Sequence, residues 1–302
     1  MGGDAGPAPA QLGTESIILN LPQPISPGPG IRSRDKSGNF SEQVRDLFNA
    51  RAGAWGRNYR PQGKLTWRLH QFCSALGEVA SPPAEVLDFG CGTGHLAEHL
   101  RTRQYVLTAC DMADQMIVTA RRNFGDANIK WVGLPADWRR LPFPGQSFDA
   151  VVASCVLEYV GDLELVFVEM ARVLRSGGVL LFNVPNPKNG RRKREYWANR
   201  IARPGWVRRA VCAVPRIQRY LNYIGLSKNR LALEEWEAEA SRYGFQRLQH
   251  PRQQNVNHPL FLFVFRKANN RAAIASQCGD RTPNISVGKR DECHREMTPP
   301  AA

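Results

Sequence analysis

The stretch EVLDFGCGTGHLAEHL, residues 85–100, constrains the fold more than any other part of the chain. An apolar run typical of a buried strand ends at Phe89, and a helical pattern begins a few residues later. Between them stand Gly90, Gly92 and Gly94, which allow a tight turn and let a ligand approach the backbone closely. In open parallel sheets, ligands bind at the carboxyl ends of strands where the strand order reverses. The stretch therefore predicts a ligand site in a strand–loop–helix unit.

The glycine spacing separates this loop from two common nucleotide-binding motifs. A P-loop needs a Gly-Lys-Ser or Gly-Lys-Thr sequence, and the loop contains none. A dinucleotide fingerprint needs its third glycine five residues after the first, where this chain has His95. An acid, Asp88, stands two residues before Gly90. The pattern is therefore D-x-G-x-G-x-G rather than either of those motifs.

Strand and helix patterns alternate after residue 84, which indicates a parallel sheet with helices on both faces. The predicted helices cover residues 93–103, 114–124, 162–174 and 231–243. The predicted strands cover residues 85–89, 105–111, 129–133, 148–155, 177–185, 245–249 and 259–267. A Gly177-Gly178 turn is expected to open the fifth strand, and Pro215 is expected to break or kink a helical pattern.

The ends of the chain differ in composition from its middle. Residues 1–40 are rich in Pro and Gly, and residues 268–302 are polar without periodicity, so both are predicted to be disordered tails. The domain proper is predicted at 41–267. No apolar run approaches the ~18 residues of a membrane span, and no signal-peptide pattern precedes the domain. Seven scattered cysteines without a CxxC pair favour reduced thiols in a cytoplasmic setting and no metal site.

Four motifs in order resemble those of class I S-adenosylmethionine-dependent methyltransferases. VLDFGCGTG (86–94) is similar to their first motif, and LTACDMADQMIVTAR (107–121) to their second, with Asp111 ending the second strand. The stretches 136–154 and 157–187 resemble the later motifs up to the fifth strand. The resemblance implies a Rossmann-like doubly wound α/β sheet, mostly parallel, of seven strands with an antiparallel last strand.

The resemblance also implies S-adenosylmethionine as cofactor and assigns roles around it. Asp111 is expected to accept hydrogen bonds from the ribose hydroxyls, Asp88 to lie near the methionine amino group, and Asp137 to accept from the adenine amino group. Met112 and Trp138 are expected to flank the adenine ring. The full predicted cofactor set is Asp88, Gly90, Cys91, Gly92, Gly94, Asp111, Met112, Met116, Asp137, Trp138, Ser154 and Cys155, the last two lining the methionine portion.

The segment before the first strand resembles a lid found in small-molecule methyltransferases. Residues 48–72 carry two helical patterns, and Trp55 and Tyr59 are the expected lid aromatics. Ordinary packing of amphipathic helices is the alternative explanation for the same pattern.

The catalytic group is not identified by the sequence. Methyl transfer is an in-line displacement that depends on positioning, and an oxygen nucleophile usually needs a base nearby. Glu158 and Tyr159 follow the fourth strand and could face a substrate, or could begin a helix and touch nothing reactive. His95, His99 and His258 are further candidates for a base.

The acceptor class is narrowed by one absence. The Asn-Pro-Pro-Tyr-like tetrapeptide of base-amine methylating relatives is replaced here by SCVLEY (154–159). The pattern favours a small-molecule or lipid-linked acceptor, methylated at oxygen. An RNA or protein acceptor, and a non-catalytic nucleotide-binding scaffold, remain alternatives.

Residues 188–230 form a basic helical insertion or substrate cap. They hold thirteen Lys or Arg and one acid, which accounts for about +12 of the net charge of +14. Three partners remain open for it: an anionic membrane surface, an anionic substrate, or, less favoured, nucleic acid. A solvated cap without a partner is the fourth possibility.

Overall fold

The computed structural model describes residues 40–269 except for 62, 64, 191, 192, 196, 198–214 and 250–257. The predicted N-terminal tail, nearly all of the predicted C-terminal tail and the middle of the basic insertion lie outside the described residues.

A seven-stranded sheet forms the centre of the fold. Its strand order is β3-β2-β1-β4-β5-β7-β6, and the pairs among the first five strands are parallel, whereas β7 runs antiparallel to both β5 and β6. The strands are β1 (Glu85–Phe89), β2 (Val106–Asp111), β3 (Ile129–Gly133), β4 (Phe148–Ser154), β5 (Leu174–Pro185), β6 (Phe245–Arg247) and β7 (Leu260–Lys267). The predicted seven-stranded doubly wound sheet with an antiparallel last strand is confirmed.

The strand order reverses between β1 and β4. Both strands run in the same direction, with Val86 opposite Ala150 and Asp88 opposite Val152. The chain leaves β1 toward β2 on one side and returns from β3 to β4 on the other. The loops after these two strands are thereby brought together at a switch point, where open α/β sheets form ligand crevices.

Helices cover both faces of the sheet. The helices of the described region are α1 (Phe40–Asn49), α2 (Ala52–Trp55), α3 (Thr66–Val79), α4 (His95–Arg101), α5 (Asp114–Phe124), α6 (Leu163–Val173), α7 (Pro215–Leu226) and α8 (Leu233–Arg242), with short 3-10 turns at Gly56–Tyr59 and Leu157–Tyr159.

Adjacent residues of β1 show how the two faces are filled. Val86 is buried with Phe72 of α3 and Leu100 of α4 on one face, whereas Leu87 is buried with Phe167 of α6 and Trp236 of α8 on the other. Successive side chains of a strand point to opposite faces, so a strand covered on both sides is apolar throughout. This explains why β1 has apolar residues at the successive positions Val86 and Leu87.

One sequence expectation about boundaries was wrong. The fifth strand begins at Leu174, and Gly177, with a φ of +74°, lies within it where its register against β4 shifts. Pro215 begins α7, since the first turn of a helix does not use the backbone N–H that proline lacks. Residues 198–214 before it lie outside the described residues, so the predicted break of a helical pattern at Pro215 stays a prediction.

An ion pair on α6 fixes the loop between β3 and β4. Glu169 is buried, bonds Arg172 at 2.7 Å, and accepts the backbone N–H of Leu141 at 2.7 Å. Arg172 in turn donates to the carbonyl oxygens of Leu141, at 3.1 Å, and Phe143, at 2.9 Å. The pair therefore holds the end of the loop that contains Trp138 against the sheet.

We expect Glu169→Ala to lower the free energy of unfolding by about 1–3 kcal/mol, because it leaves the buried N–H of Leu141 without an acceptor and the partly buried guanidinium of Arg172 without its counter-ion. Denaturant unfolding followed by circular dichroism measures the change. Glu164→Gln, an exposed position on the same helix, is the control and should stay within about 0.5 kcal/mol. Equal effects at the two positions would contradict the role given to the pair.

Candidate active site

The glycine loop after β1 adopts a conformation that only glycine takes readily. Gly90, Gly92 and Gly94 have φ angles of +71°, +55° and +81°. A Cβ on Gly90 would lie 2.4 Å from a methyl carbon of Val156, and one on Gly94 would lie 2.5 Å from the ring of Trp131. The loop is therefore required to be glycine by both its backbone angles and its packing.

Asp111 at the end of β2 holds this loop in place. Its Oδ2 accepts the N–H of Gly92 and its Oδ1 accepts the N–H of Ala113, both at 2.8 Å. Burial raises the pKa of the carboxyl group, while these backbone N–H groups act to lower it. The neighbouring carbonyl of Cys110 accepts the N–H of Gly90, at 2.8 Å. The end of β2 and the glycine loop are thus one hydrogen-bonded unit.

Asp88 is a buried carboxyl group whose hydrogen-bonding capacity is largely unused. It is 1% exposed, neither of its oxygens makes a hydrogen bond of good geometry among the described residues, and the backbone N–H of Ala97 acts only to lower its pKa. Burial, together with the nearby Asp111, raises its pKa to about 8. Buried polar groups are nearly always paired, so an unpaired acid in a cavity wall indicates a missing ligand donor.

A cavity of about 1070 Å³, counting its open mouth, lies over the carboxyl ends of β1, β2 and β4. Most of the predicted cofactor residues line it, namely Asp88, Gly90, Cys91, Gly92, Asp111, Met112, Met116, Trp138, Ser154 and Cys155.

Two of the predicted cofactor residues do not line this cavity. Gly94 lies beneath the loop, where its missing Cβ makes room for Trp131. Asp137 is exposed on the turn just before Trp138. Its predicted contact with the adenine amino group stays a prediction.

Aromatic side chains from the N-terminal helices roof the cavity. Phe48, Trp55 and Tyr59 all line it, and Phe48 packs edge-on against Trp55, at 5.8 Å, and against Tyr159, at 5.2 Å. The indole nitrogen of Trp55 lies 3.6 Å from the position that a Cβ on Gly92 would take. Trp55 therefore lies over the glycine loop, and both expected lid aromatics line the cavity together with Phe48, which the sequence analysis did not single out.

The turn after β4 is strained and held by asparagines. Cys155 has a φ of +57°, unusual for a residue with a side chain, and its N–H donates to Oδ1 of buried Asn183 at 2.7 Å. Asn229 donates to the carbonyl oxygens of Leu157 and Val160, each at 2.8 Å. Sequence reasoning missed both asparagines, because a lone Asn carries no motif that reveals its long-range partner.

The side of the cavity next to β4 is polar. Tyr59, Arg68, Glu158, Tyr159 and Tyr223 all line it. Glu158 and Tyr159 lie in the 3-10 turn before α6, where both are buried and line the cavity. Whether either of them faces a substrate stays a prediction. Burial is the main cause that raises the pKa of Tyr59 and of Tyr159, so both phenols keep their protons at neutral pH.

The three histidines considered as bases lie outside the cavity wall. His95 stacks on Tyr59 at 4.5 Å and contacts Thr93 at 3.0 Å through Nδ1. His99 packs edge-on against His70, and Nδ1 of His258 lies 2.8 Å from the carbonyl oxygen of Leu260. Their positions in the structure give them packing roles around the site.

Comparison with known proteins agrees with this geometry. Residues 87–182 match the family described as Methyltransferase domain. The chain is 32% identical over 143 residues to malonyl-[acyl-carrier protein] O-methyltransferase of Serratia marcescens, covering 47% of this chain and 52% of the relative. It is 32% identical over 193 residues to the biotin biosynthesis bifunctional protein BioHC of Saccharophagus degradans, covering 63% of this chain and 34% of the relative. The chain thus spans about a third to a half of these curated relatives.

The fold also matches solved structures. Magnesium protoporphyrin IX methyltransferase of Synechocystis PCC 6803, solved with bound SAH, superposes with a TM-score of 0.55 at 14% identity. The match covers 74% of this chain and 98% of that one. At this identity the likeness concerns the fold alone.

The sheet order, the glycine loop and the match of residues 87–182 to the Methyltransferase domain family agree with the fold of class I S-adenosylmethionine-dependent methyltransferases. S-adenosylmethionine is the cofactor of that class, and the residues present fit it. The carboxyl group of Asp88 suits an ammonium group, Asp111 suits a diol, and Gly92 places no side chain between the loop and Trp55.

The described residues contain no group of three or more His, Cys, Asp or Glu placed to hold a metal ion. None of their helices is both long and apolar enough to cross a membrane.

The raised pKa of Asp88 should make the ligand-free protein less stable to unfolding as the pH rises. In the unfolded chain an Asp side chain has a pKa of about 3.9. Between about pH 4 and pH 8 the folded chain therefore binds the proton of Asp88 more tightly than the unfolded chain does. The free energy of unfolding should fall across this window by up to about 1.4 kcal/mol per pH unit. Asp88→Asn, which is neutral throughout, should show a shallower slope in denaturant unfolding at a series of pH values. Asp126→Asn, an exposed control, should keep the wild-type slope, and an equally steep slope in Asp88→Asn would contradict the assignment.

Proposed function

We propose that this protein transfers a methyl group from S-adenosylmethionine to an oxygen of a small-molecule or carrier-linked acceptor. The observation that supports it most is a single cavity with two unlike ends. The end beside β2 has the glycine loop and its acids, and the end beside β4 has an arginine, a glutamate and three tyrosines. One end suits a cofactor and the other a polar acceptor.

In this proposal the β2 end holds the cofactor. Asp111 accepts hydrogen bonds from the ribose hydroxyls through the lone pairs that its two backbone hydrogen bonds leave free. Met112 and Trp138 flank the adenine ring, with Phe89 edge-on to Trp138 at 5.8 Å behind it. Asp88 pairs with the methionine amino group, which provides the donor that its oxygens lack.

Bound S-adenosylmethionine supplies an electrophilic methyl group on its sulfonium. The residues of this chain contribute by positioning the acceptor oxygen and excluding water. Phe48, Trp55 and Tyr159 close the space above the loop with apolar surface. Tyr59 and Tyr159 keep their protons and so act as hydrogen-bond donors to an acceptor rather than as bases.

An oxygen acceptor is supported by the O-methyltransferase named among the relatives. That relative acts on a malonyl group linked to a carrier protein, as its name states, and this chain covers only 52% of it. The same activity is therefore proposed here only as transfer to oxygen. Contact of residues 188–230 with an anionic membrane, an anionic substrate or nucleic acid stays a prediction, since residues 191, 192, 196 and 198–214 of that segment lie outside the described residues.

Asp111 also hydrogen-bonds the glycine loop, so its proposed contact with the ribose is tested by changing the ligand as well as the protein. We expect S-adenosylhomocysteine to bind the wild type about 10- to 100-fold more tightly than its 2′-deoxy analogue, because a charged acceptor loses a hydrogen bond. In Asp111→Asn the Kd values of the two ligands should differ by no more than about 3-fold. Isothermal titration calorimetry measures both ligands, with Asp126→Asn as the control. A gap that persists in Asp111→Asn would place the ribose elsewhere.

Transfer itself is tested with methyl-labelled S-adenosylmethionine and extract of the native host, separated into lipid, small-molecule, RNA and protein fractions. We expect label in the small-molecule or lipid fraction, or on a carrier protein from which thioester cleavage releases it. Label in RNA, or bound to protein through a stable linkage, would contradict the proposed acceptor class. Absence of label in every fraction, with cofactor bound, would favour a non-catalytic scaffold. Asp111→Asn serves as the background control.

A further inference from the structure

Arg68 of α3 is the one Lys or Arg among the described residues that line the cavity. It comes from the N-terminal segment, outside the residues that match the methyltransferase family. Its position is on the β4 side, where its charge is felt by Tyr59, Cys155, Glu158 and Tyr223. Asp111 and Trp138 are on the opposite, β2 side of the switch point. Arg68 therefore belongs to the acceptor end of the cavity.

The guanidinium of Arg68 has a hydrogen-bond donor that no described residue accepts. Tyr59 hydrogen-bonds it, but its Nε is fully enclosed and has no acceptor among the described residues. Burial alone lowers the pKa of Arg68, whereas the acidic groups facing it raise the pKa above the ordinary value, so the side chain is a fixed cation. A buried N–H left unpaired is costly, and in a cavity wall it points to an anionic ligand group.

We propose, building on the proposed function, that Arg68 binds a carboxylate of the acceptor and that one oxygen of this carboxylate receives the methyl group. A planar carboxylate matches the fork of the guanidinium, and one oxygen can be held while the other faces the cofactor. The tyrosine hydroxyls on the same wall add neutral donors.

The charges nearby favour one negative charge over two. Glu158 is buried on the same wall, and Arg68 is the one Lys or Arg among the described lining residues, so a phosphate dianion would add two negative charges against one cation. A carboxylate monoanion adds only one. The cavity is therefore better matched to a carboxylic acid than to a phosphorylated acceptor.

This acceptor also removes the need for a base. A carboxylate is ionised before it binds, so no proton moves in the step. One lone pair of the carboxylate oxygen forms the new O–CH₃ bond, and the electron pair of the S–CH₃ bond stays on sulfur. The sulfonium and carboxylate charges both disappear, giving a methyl ester and a neutral thioether. A water-poor site favours a reaction in which opposite charges cancel.

The product chemistry provides a direct test. The full chain is given methyl-labelled S-adenosylmethionine with succinate, glutarate, octanoate or the malonyl half-thioester of N-acetylcysteamine as probe acceptors, and with host extract. A methyl ester releases labelled methanol in mild base, whereas an ether, an N-methyl or a C-methyl group does not. We expect base-labile label from at least one probe or from the extract. Transfer that yields only base-stable label would overturn the inference and leave the proposed methyl transfer standing.

Variants of Arg68 separate acceptor binding from cofactor binding. We expect Arg68→Gln to raise the KM for the acceptor by about 30-fold or more, and Arg68→Lys, which keeps the charge without the fork, by about 10-fold. The Kd for S-adenosylmethionine should stay within about 2-fold of wild type in both, since Arg68 is on the other side of the switch point. Arg60→Gln, which removes an exposed charge from the same segment, is the matched control.

Binding measured without turnover keeps the inference falsifiable. Each probe carboxylate and inorganic phosphate is titrated into wild type and Arg68→Gln loaded with S-adenosylhomocysteine. Carboxylate binding that is lost in Arg68→Gln supports the inference even if no probe is methylated. Equal binding by both proteins, or phosphate bound as tightly as the carboxylates, overturns it. Failure of the wild type to bind S-adenosylhomocysteine at all would instead overturn the proposed function.

Discussion

The site depends on the carboxyl group of Asp111 and its two backbone hydrogen bonds. One bond reaches back to the glycine loop after β1, at Gly92, and the other to the start of α5, at Ala113. The same strand end also accepts the N–H of Gly90 through Cys110. Without these bonds, three glycines with positive φ angles would have little reason to keep one conformation, because glycine loses the most backbone freedom on ordering. The loop is rigid because β2 holds it.

The division of the cavity follows from sheet topology. Strands on the two sides of the switch point deliver different side chains to a shared space, with acids and large apolar groups from the β1–β3 side and a polar turn from β4. The N-terminal helices then add what neither strand supplies, namely an aromatic roof and the cation Arg68.

Sequence reasoning predicted the sheet and most of the residues that line the cavity near the glycine loop, but it did not single out Arg68. The strands and the glycine loop were predictable because each has a local sequence pattern, such as the apolar pair in β1 or the alternate spacing of the glycines. Asn183 and Asn229 were missed because their roles depend on partners far away in the chain: Asn183 contacts residue 155 and Asn229 contacts residue 157.

The contacts of Asn229 connect the turn after β4 to the end of the basic insertion. Its side-chain amide spans the carbonyl oxygens of Leu157 and Val160, and its own N–H donates to the carbonyl of Glu158 at 3.2 Å. Nearby, the Nζ of Lys228 reaches the carbonyl of Gly161 at 3.0 Å. The backbone that positions Glu158 is therefore fastened to residues 228–229 rather than to the sheet alone. The last residues of the basic insertion therefore help to set the shape of the cavity wall, so a change in the conformation of residues 228–229 would change the position of Glu158.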